Sequence, residues 1–267
     1  FQGFAGNFPL YHRQDALPHQ NPIPQKRPLH DEARDPAEQT PIQTNQWDES
    51  RPGFLEADTV AHCGGSMMGM FAYTLDCVDI ATGWTEQRAV WGKGERGVLE
   101  QIKDIEAMLP FPLLGFDCDN GGEFLNYHLF RHFTQRTQPL RFTRSRAYHS
   151  QDNAHVEQKN WTHVRQWIGY DRLNNPQVVP LLNDLYRREW RLFHNFFLPS
   201  VKLIDKERIG SKTLKRYDSP KTPYQRIMES GHVPDSVKKN LSKQLERLNP
   251  FLLRKNMETK LKKIFSL

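Results

Sequence analysis

Leu113-Leu114-Gly115-Phe116-Asp117-Cys118-Asp119-Asn120-Gly121-Gly122-Glu123-Phe124 is the stretch on which the reading of this chain turns. Its first six residues are too short an apolar run for a helix. They suit a strand buried on both faces, the kind found in parallel sheets. Asp119-Asn120-Gly121 then offers turn chemistry, and the residues from Glu123 to Gln135 read as a helix. Strand, turn and helix in that order call for a return to a further strand, and Leu140–Thr143 supplies one.

Upstream, the same sheet gains three more strands. Phe54–Val60 reads as the first, Met68–Val78 as the second and Trp84–Trp91 as the third, with turns at Gly64-Gly65-Ser66 and Thr82-Gly83. Together they predict an antiparallel meander. Between the third and fourth strands, Val98, Leu99, Ile102, Ile105 and Met108 recur at helical spacing, and Pro110 and Pro112 close that helix. Downstream, helices are expected over 152–170, with Ser150 or Asp152 as N-cap, and over 180–197. The second carries a stripe of Leu182, Leu185, Tyr186, Trp190, Phe193 and Phe197, read as core. The predicted architecture is α/β, a mixed five-stranded sheet flanked by helices.

Composition divides the chain into three regions. Residues 1–50 hold seven prolines and a long polar segment, and are expected to be an arm or linker, because such a composition buries too little apolar surface. Residues 51–198 are the sheet region. Residues 199–267 are expected to form a basic module with helices near 235–248 and 251–265. From Val201 onward there are 17 Lys+Arg and 7 Asp+Glu, a net +10, while the other 200 residues hold 20 and 24, a net −4. This asymmetry suits a protein that holds a polyanion with one part and gathers cations with another. No apolar run approaches the ~20 residues of a membrane helix, no secretory leader is visible at Phe1–Asp15, and the three cysteines form no CxxC pair. A disulfide framework and a structural zinc site are not expected, and a cytoplasmic setting is.

Three acidic residues stand out by position. Asp58 lies in the first strand, Asp119 directly follows the buried strand, and Glu157 lies in the first turns of the helix opened by Asn153-Ala154-His155-Val156-Glu157. If the first and buried strands are neighbours and that helix crosses their ends, the three carboxylates meet. Such a group calls for a divalent cation with open positions, Mg²⁺ or Mn²⁺. Two ions roughly 3.5–4 Å apart suit phosphoryl transfer. GxSxG, P-loop and HExxH motifs are absent. Asp117 is a weaker candidate than Asp119, and Glu123 reads as a helix-start glutamate favoured by the dipole. His62, His149 and His155 read as structural or exposed.

These motifs resemble the integrase catalytic core of DDE transposases and retroviral integrases, a ribonuclease H-like family. Asp119-Asn120-Gly121-Gly122-Glu123-Phe124 matches the family's D-N-G-x-x-F, and Asn153-Ala154-His155-Val156-Glu157 its N-x-x-x-E. The Asp58 strand with Val78–Trp84 is similar to its first motif. The stretches SRAYHSQDNAHVEQKNW and YDSPKTPYQR resemble transposases of bacterial insertion sequences. The resemblance implies metal-dependent 3′-end cleavage and strand transfer on DNA, with Asp58, Asp119 and Glu157 holding Mg²⁺, which Mn²⁺ can replace. It also implies transposon ends and a target duplex as partners, a homo-oligomer, and no membrane or small-molecule substrate. DNA contacts are expected from Asn120, Asn153, Lys159 and Arg165, and from Lys212, Lys215 and Arg216 in the basic tail. The family's usual N-terminal helix-turn-helix has no counterpart in the Pro-rich arm. Two rival readings remain: a non-catalytic DNA-binding remnant acting as competitor or repressor, and a hydrolase of RNA–DNA hybrids.

Overall fold

Five strands assemble in the order β3-β2-β1-β4-β5: β1 (Phe54–Ala61), β2 (Ala72–Asp79), β3 (Thr85–Trp91), β4 (Gly115–Cys118) and β5 (Arg141–Arg144). The first three pair antiparallel, whereas β1–β4 and β4–β5 are parallel. This is the mixed five-stranded sheet expected from the sequence. The computed structural model describes residues 35–42, 50–146 and 153–267. The first half-century of sequence, read as an arm, thus lies largely outside the described residues, as do Ser150, Asp152 and His149. Within that region, a short α1 (Pro36–Gln39) leads to Ile42, which bridges to Arg144 beside β5.

Side-chain alternation explains the layers. Leu55 and Ala57 on β1, Tyr73, Leu75 and Cys77 on β2, and Phe116 and Cys118 on β4 point to one face. There they meet α2 (Glu95–Met108) through Val98, Ile102 and Ile105, and α3 (Tyr127–Thr134) through Leu129 and Phe133. Val60, Ala72 and Ala89 point to the other face. They pack against a helix built from α4 (Ala154–Lys159), a wider π-type segment Asn160–Arg165 and α5 (Gln166–Ile168). A second composite helix covers them too: α6 (Val178–Leu185), a π-type segment Tyr186–Trp190 and α7 (Arg191–Phe197). The aromatic stripe read as core is core.

The exposed edge of β3 is capped by side chains. Asn183 and Asn195 each exchange two hydrogen bonds with the backbone of β3, at Ala89 and Thr85 respectively. The two amides satisfy ladder groups that would otherwise invite a further strand.

The tail departs from a module of its own. The stretch after Pro199 begins with a hairpin, β6 (Leu203–Ile209) and β7 (Lys212–Tyr217), where the sequence reading expected no strands. The missed signal is Gly210-Ser211, a two-residue turn with Gly210 at φ 62. Beyond it, α8 (Pro223–Glu229), also unforeseen, starts with a full Thr222/Gln225 capping box. The two expected helices are α9 (Asp235–Leu245) and α10 (Pro250–Phe265). Leu253, Met257, Leu261 and Ile264 of α10 join the core beneath Tyr186 and Trp190, and Ile227 and Leu241 join Trp84 and Phe196. Asp35 to Leu267 form one compact unit.

Candidate active site

Period-two alternation puts a row of polar side chains on the α4 face of the sheet. Asp58 lies directly opposite Asp76 on β2, and Asp76 opposite Gln87 on β3. On the other side, Ala57 pairs with Cys118, so Asp119 stands one ladder step further, beside Asp58. The predicted adjacency of the first and buried strands is therefore present.

Glu157 reaches this row because Glu56, two residues before Asp58, fastens its helix. The Glu56 carboxylate accepts hydrogen bonds from the backbone N–H groups of His155 (3.0 Å) and Val156 (3.1 Å). A carboxylate on the first orphan N–H groups of a helix both caps it and answers its dipole. Sequence reasoning missed Glu56, since it sought a cap just before the helix rather than a hundred residues upstream.

Electrostatics tie the three acids together. Burial raises the Asp58 carboxyl above its usual range, against hydrogen bonds from Thr59 and Asn160, and the Glu157 charge raises it further. Asp119 is raised by burial, then by the charges of Asp58 and Glu123. Glu157 is raised by partial burial. The balancing cation is Lys93, in the turn after β3, whose ammonium pairs with Glu123 and is felt by Asp58 and Asp119. Neither Lys93 nor Glu123 was expected here. Glu123 precedes α3 by four residues instead of opening it, is buried, and accepts from Thr59 Oγ1 at 2.9 Å.

The donor set is hard oxygen, which fits Mg²⁺ or Mn²⁺ by chemistry. Among the described residues, however, no three His, Cys, Asp or Glu side chains are arranged to hold a metal as they stand. Asp58 is turned to local donors, Thr59 N (2.6 Å) and Asn160 Nδ2 (2.7 Å), and Asp119 to Gly121 N (3.0 Å). Asp117 lies on the same face of the sheet, opposite Glu56, and is taken up by a hydrogen bond from Thr143.

The expected DNA contacts divide. Lys159 is 5% exposed, directed among Asp76 and His163, with burial lowering its pKa to about 8. It is an interior group rather than a surface contact. Arg165 is spent on the Ala61 and Gly169 carbonyls and stacks on Tyr170. Asn120 bridges Ser145 O and the Arg144 guanidinium, holding the ends of β4 and β5 together. Asn153 is buried and donates to Ser145 Oγ. Lys212, Lys215 and Arg216 all lie on the exposed hairpin.

No family model matches the chain. Its sequence is 42% identical over 187 residues to the uncharacterized protein y4rM of Sinorhizobium fredii, covering 70% of this chain and 53% of that protein. The chain thus spans about half the length of this curated relative. Among solved structures, it is similar to a chain of the simian T-cell lymphotropic virus intasome in complex with PP2A regulatory subunit B56 gamma. Identity there is 13%, coverage is 72% of this chain and 59% of that one, and the TM-score is 0.46. It is also similar to the catalytic core domain of BIV integrase, at 14% identity, 67% and 96% coverage, and a TM-score of 0.40. Among the described residues, no helix is long and apolar enough to cross a membrane.

Proposed function

We propose that the chain is the catalytic part of a DDE transposase of insertion-sequence type, cleaving 3′ ends of DNA and transferring them to a target duplex. One observation carries the reading. Asp58 and Asp119 sit side by side on parallel strands, Glu157 is held over them by the Glu56 cap, and the charges of Asp119 and Glu157 are both coupled to Asp58. Asp58, Asp119 and Glu157 would hold two Mg²⁺ ions. These would supply an activated water or 3′-hydroxyl and neutralise the leaving oxygen of an in-line displacement. Asn160 orients the Asp58 carboxylate, and Lys93 answers the cluster's charge until a cation replaces it. Transposon ends, a target duplex and a second copy of the chain are the partners this chemistry requires, acting in the cytoplasm.

The test is joining of a branched, pre-cleaved DNA in Mn²⁺ by the parent chain and by Asp119→Asn. Joining by the parent alone is expected. Failure of both, with DNA binding intact, would overturn the catalytic reading in favour of a DNA-binding remnant, which the locally bonded state of Asp58 would suit.

A further inference from the structure

The β6–β7 hairpin stands apart from the rest of the chain in one respect: every residue of both strands is exposed, including Leu203, Ile204, Ile209, Leu214 and Tyr217. None belongs to an apolar cluster of the body. An isolated two-stranded ribbon is marginal in water, yet this one is pinned firmly at its root. Ser200 and Lys221 exchange backbone hydrogen bonds, Asp218 accepts from Lys202 N, and Arg226 clamps both Asp218 and the Ser200 carbonyl. The root, at Leu198–Val201, lines a cleft of about 840 Å³ together with Gln158 and Thr162, on the helix that carries Glu157.

Register separates the two faces. Residues paired across the ladder share a face, and neighbours along a strand alternate. Lys206 opposite Lys215 and Arg208 opposite Thr213 fall on one face. Asp205 opposite Arg216, Glu207 opposite Leu214 and Ile209 opposite Lys212 fall on the other. The first face carries three cations and no carboxylate, the second two of each sign. Among the described residues, neither Lys206 nor Lys215 nor Arg208 pairs with a carboxylate.

We propose that the hairpin is an arm that lies along duplex DNA with its Lys206–Arg208–Lys215 face on the phosphates and its mixed face outward. The inference rests on the reading of the chain as a DNA-processing enzyme and deepens it. Lys215 is a contact, whereas Lys212 and Arg216, equally basic in sequence, are not. A uniform row of cations matches the even negative charge of a duplex backbone. The neutral opposite face does not.

The experiment measures anisotropy of a labelled nonspecific DNA duplex with the full chain across a salt series. Each phosphate contact contributes roughly 0.9 to the slope of log affinity against log salt. The triple variant Lys206→Gln/Arg208→Gln/Lys215→Gln should lower that slope by about 2 to 3. Lys212→Gln/Arg216→Gln should lower it by under about 1. Both should melt with the parent, since the residues touch no core. Equal losses in the two variants, no loss in the triple, or tighter binding to an RNA duplex of the same sequence overturns the assignment. The joining assay stays separate. A chain that joins DNA but shows no face difference refutes the arm alone, and one that shows the face difference but never joins refutes only the catalytic reading.

Discussion

Asp76→Asn should make the metal-free chain more stable at neutral pH, by an amount that itself depends on pH. Asp76 is wholly buried. Its Oδ1 accepts from Gln87 Nε2 at 3.0 Å, and no partner meets its Oδ2 among the described residues. Burial raises its pKa from 3.8 to about 8, with the Asp58 charge adding and Lys159 opposing. At pH 7 the folded chain therefore holds a proton that the unfolded chain has released. Some three pH units separate 3.8 from 7, and at about 1.4 kcal/mol each the folded state loses roughly 4 kcal/mol. An asparagine needs no proton. Its Nδ2 leaves at most one more N–H unsatisfied than the protonated acid does, costing about 1–3 kcal/mol. A net gain of about 1–3 kcal/mol follows at pH 7, or about 2–12 °C in Tm for a domain of this size.

The sign follows from proton binding. Between pH 3.8 and about 8 the folded state binds more protons than the unfolded, so the parent loses stability as pH rises through that window. The advantage of the variant should thus be negative near pH 4, cross zero between about pH 4.5 and 6, climb by about 1.4 kcal/mol per unit and level off above 8. Urea denaturation in EDTA from pH 4 to 8.5 measures it. A difference that is flat with pH, or that falls as pH rises, would refute the reasoning.

Three further outcomes are expected. Arg191→Met removes the 2.7 Å Nη2 bond to the wholly buried Glu86, leaving it Arg88 at 3.4 Å and Trp84 Nε1 at 3.0 Å, and should cost about 2–3 kcal/mol in urea denaturation. Glu86→Gln in the same chain should recover most of this, and a loss below about 1 kcal/mol would reject the pair's role. Mn²⁺ at a hundredfold its Kd should stabilise the parent by about 3 kcal/mol in thermal melts and leave Asp119→Asn unmoved. An equal shift in both would place the cation elsewhere. Asn160→Ala frees the Asp58 carboxylate from its 2.7 Å hydrogen bond. It should lower joining about 10–100-fold and raise the Mn²⁺ concentration for half-maximal rate, and an unchanged metal dependence would assign Asn160 a structural role only.

Local pattern was enough wherever one face of an element alone decided its period. The strand pattern Leu55-Ala57 against Glu56-Asp58, the helical recurrence of Val98, Ile102 and Ile105, and the apolar run into Asp119 each carry their element without help from distant residues. The positions of Asp58, Asp119 and Glu157 along the chain were legible for the same reason: Asp58 alternates with Leu55 and Ala57 inside its strand, Asp119 directly follows β4 and Glu157 lies in the first turn of α4. Lys159 was read as a surface group and is buried, because a charge on a helix looks alike whether that face meets water or protein.

What remained hidden depends on pairing across long separations. Asp76 enters the row beside Asp58 only through strand register, Glu56 caps a helix about a hundred residues away, and Lys93 reaches the acids only once β3 lies beside β2. The basic tail was visible as charge, which suited a polyanion-binding region and a solvated tail alike. Which cations share a face was settled by the β6–β7 register, since a ladder slipped by one residue would exchange the two faces. Composition and periodicity determine which elements form and roughly where the reactive groups fall along the chain. Only the packed sheet decides which of those groups meet, because neighbouring charges and burial are properties of space rather than of sequence order.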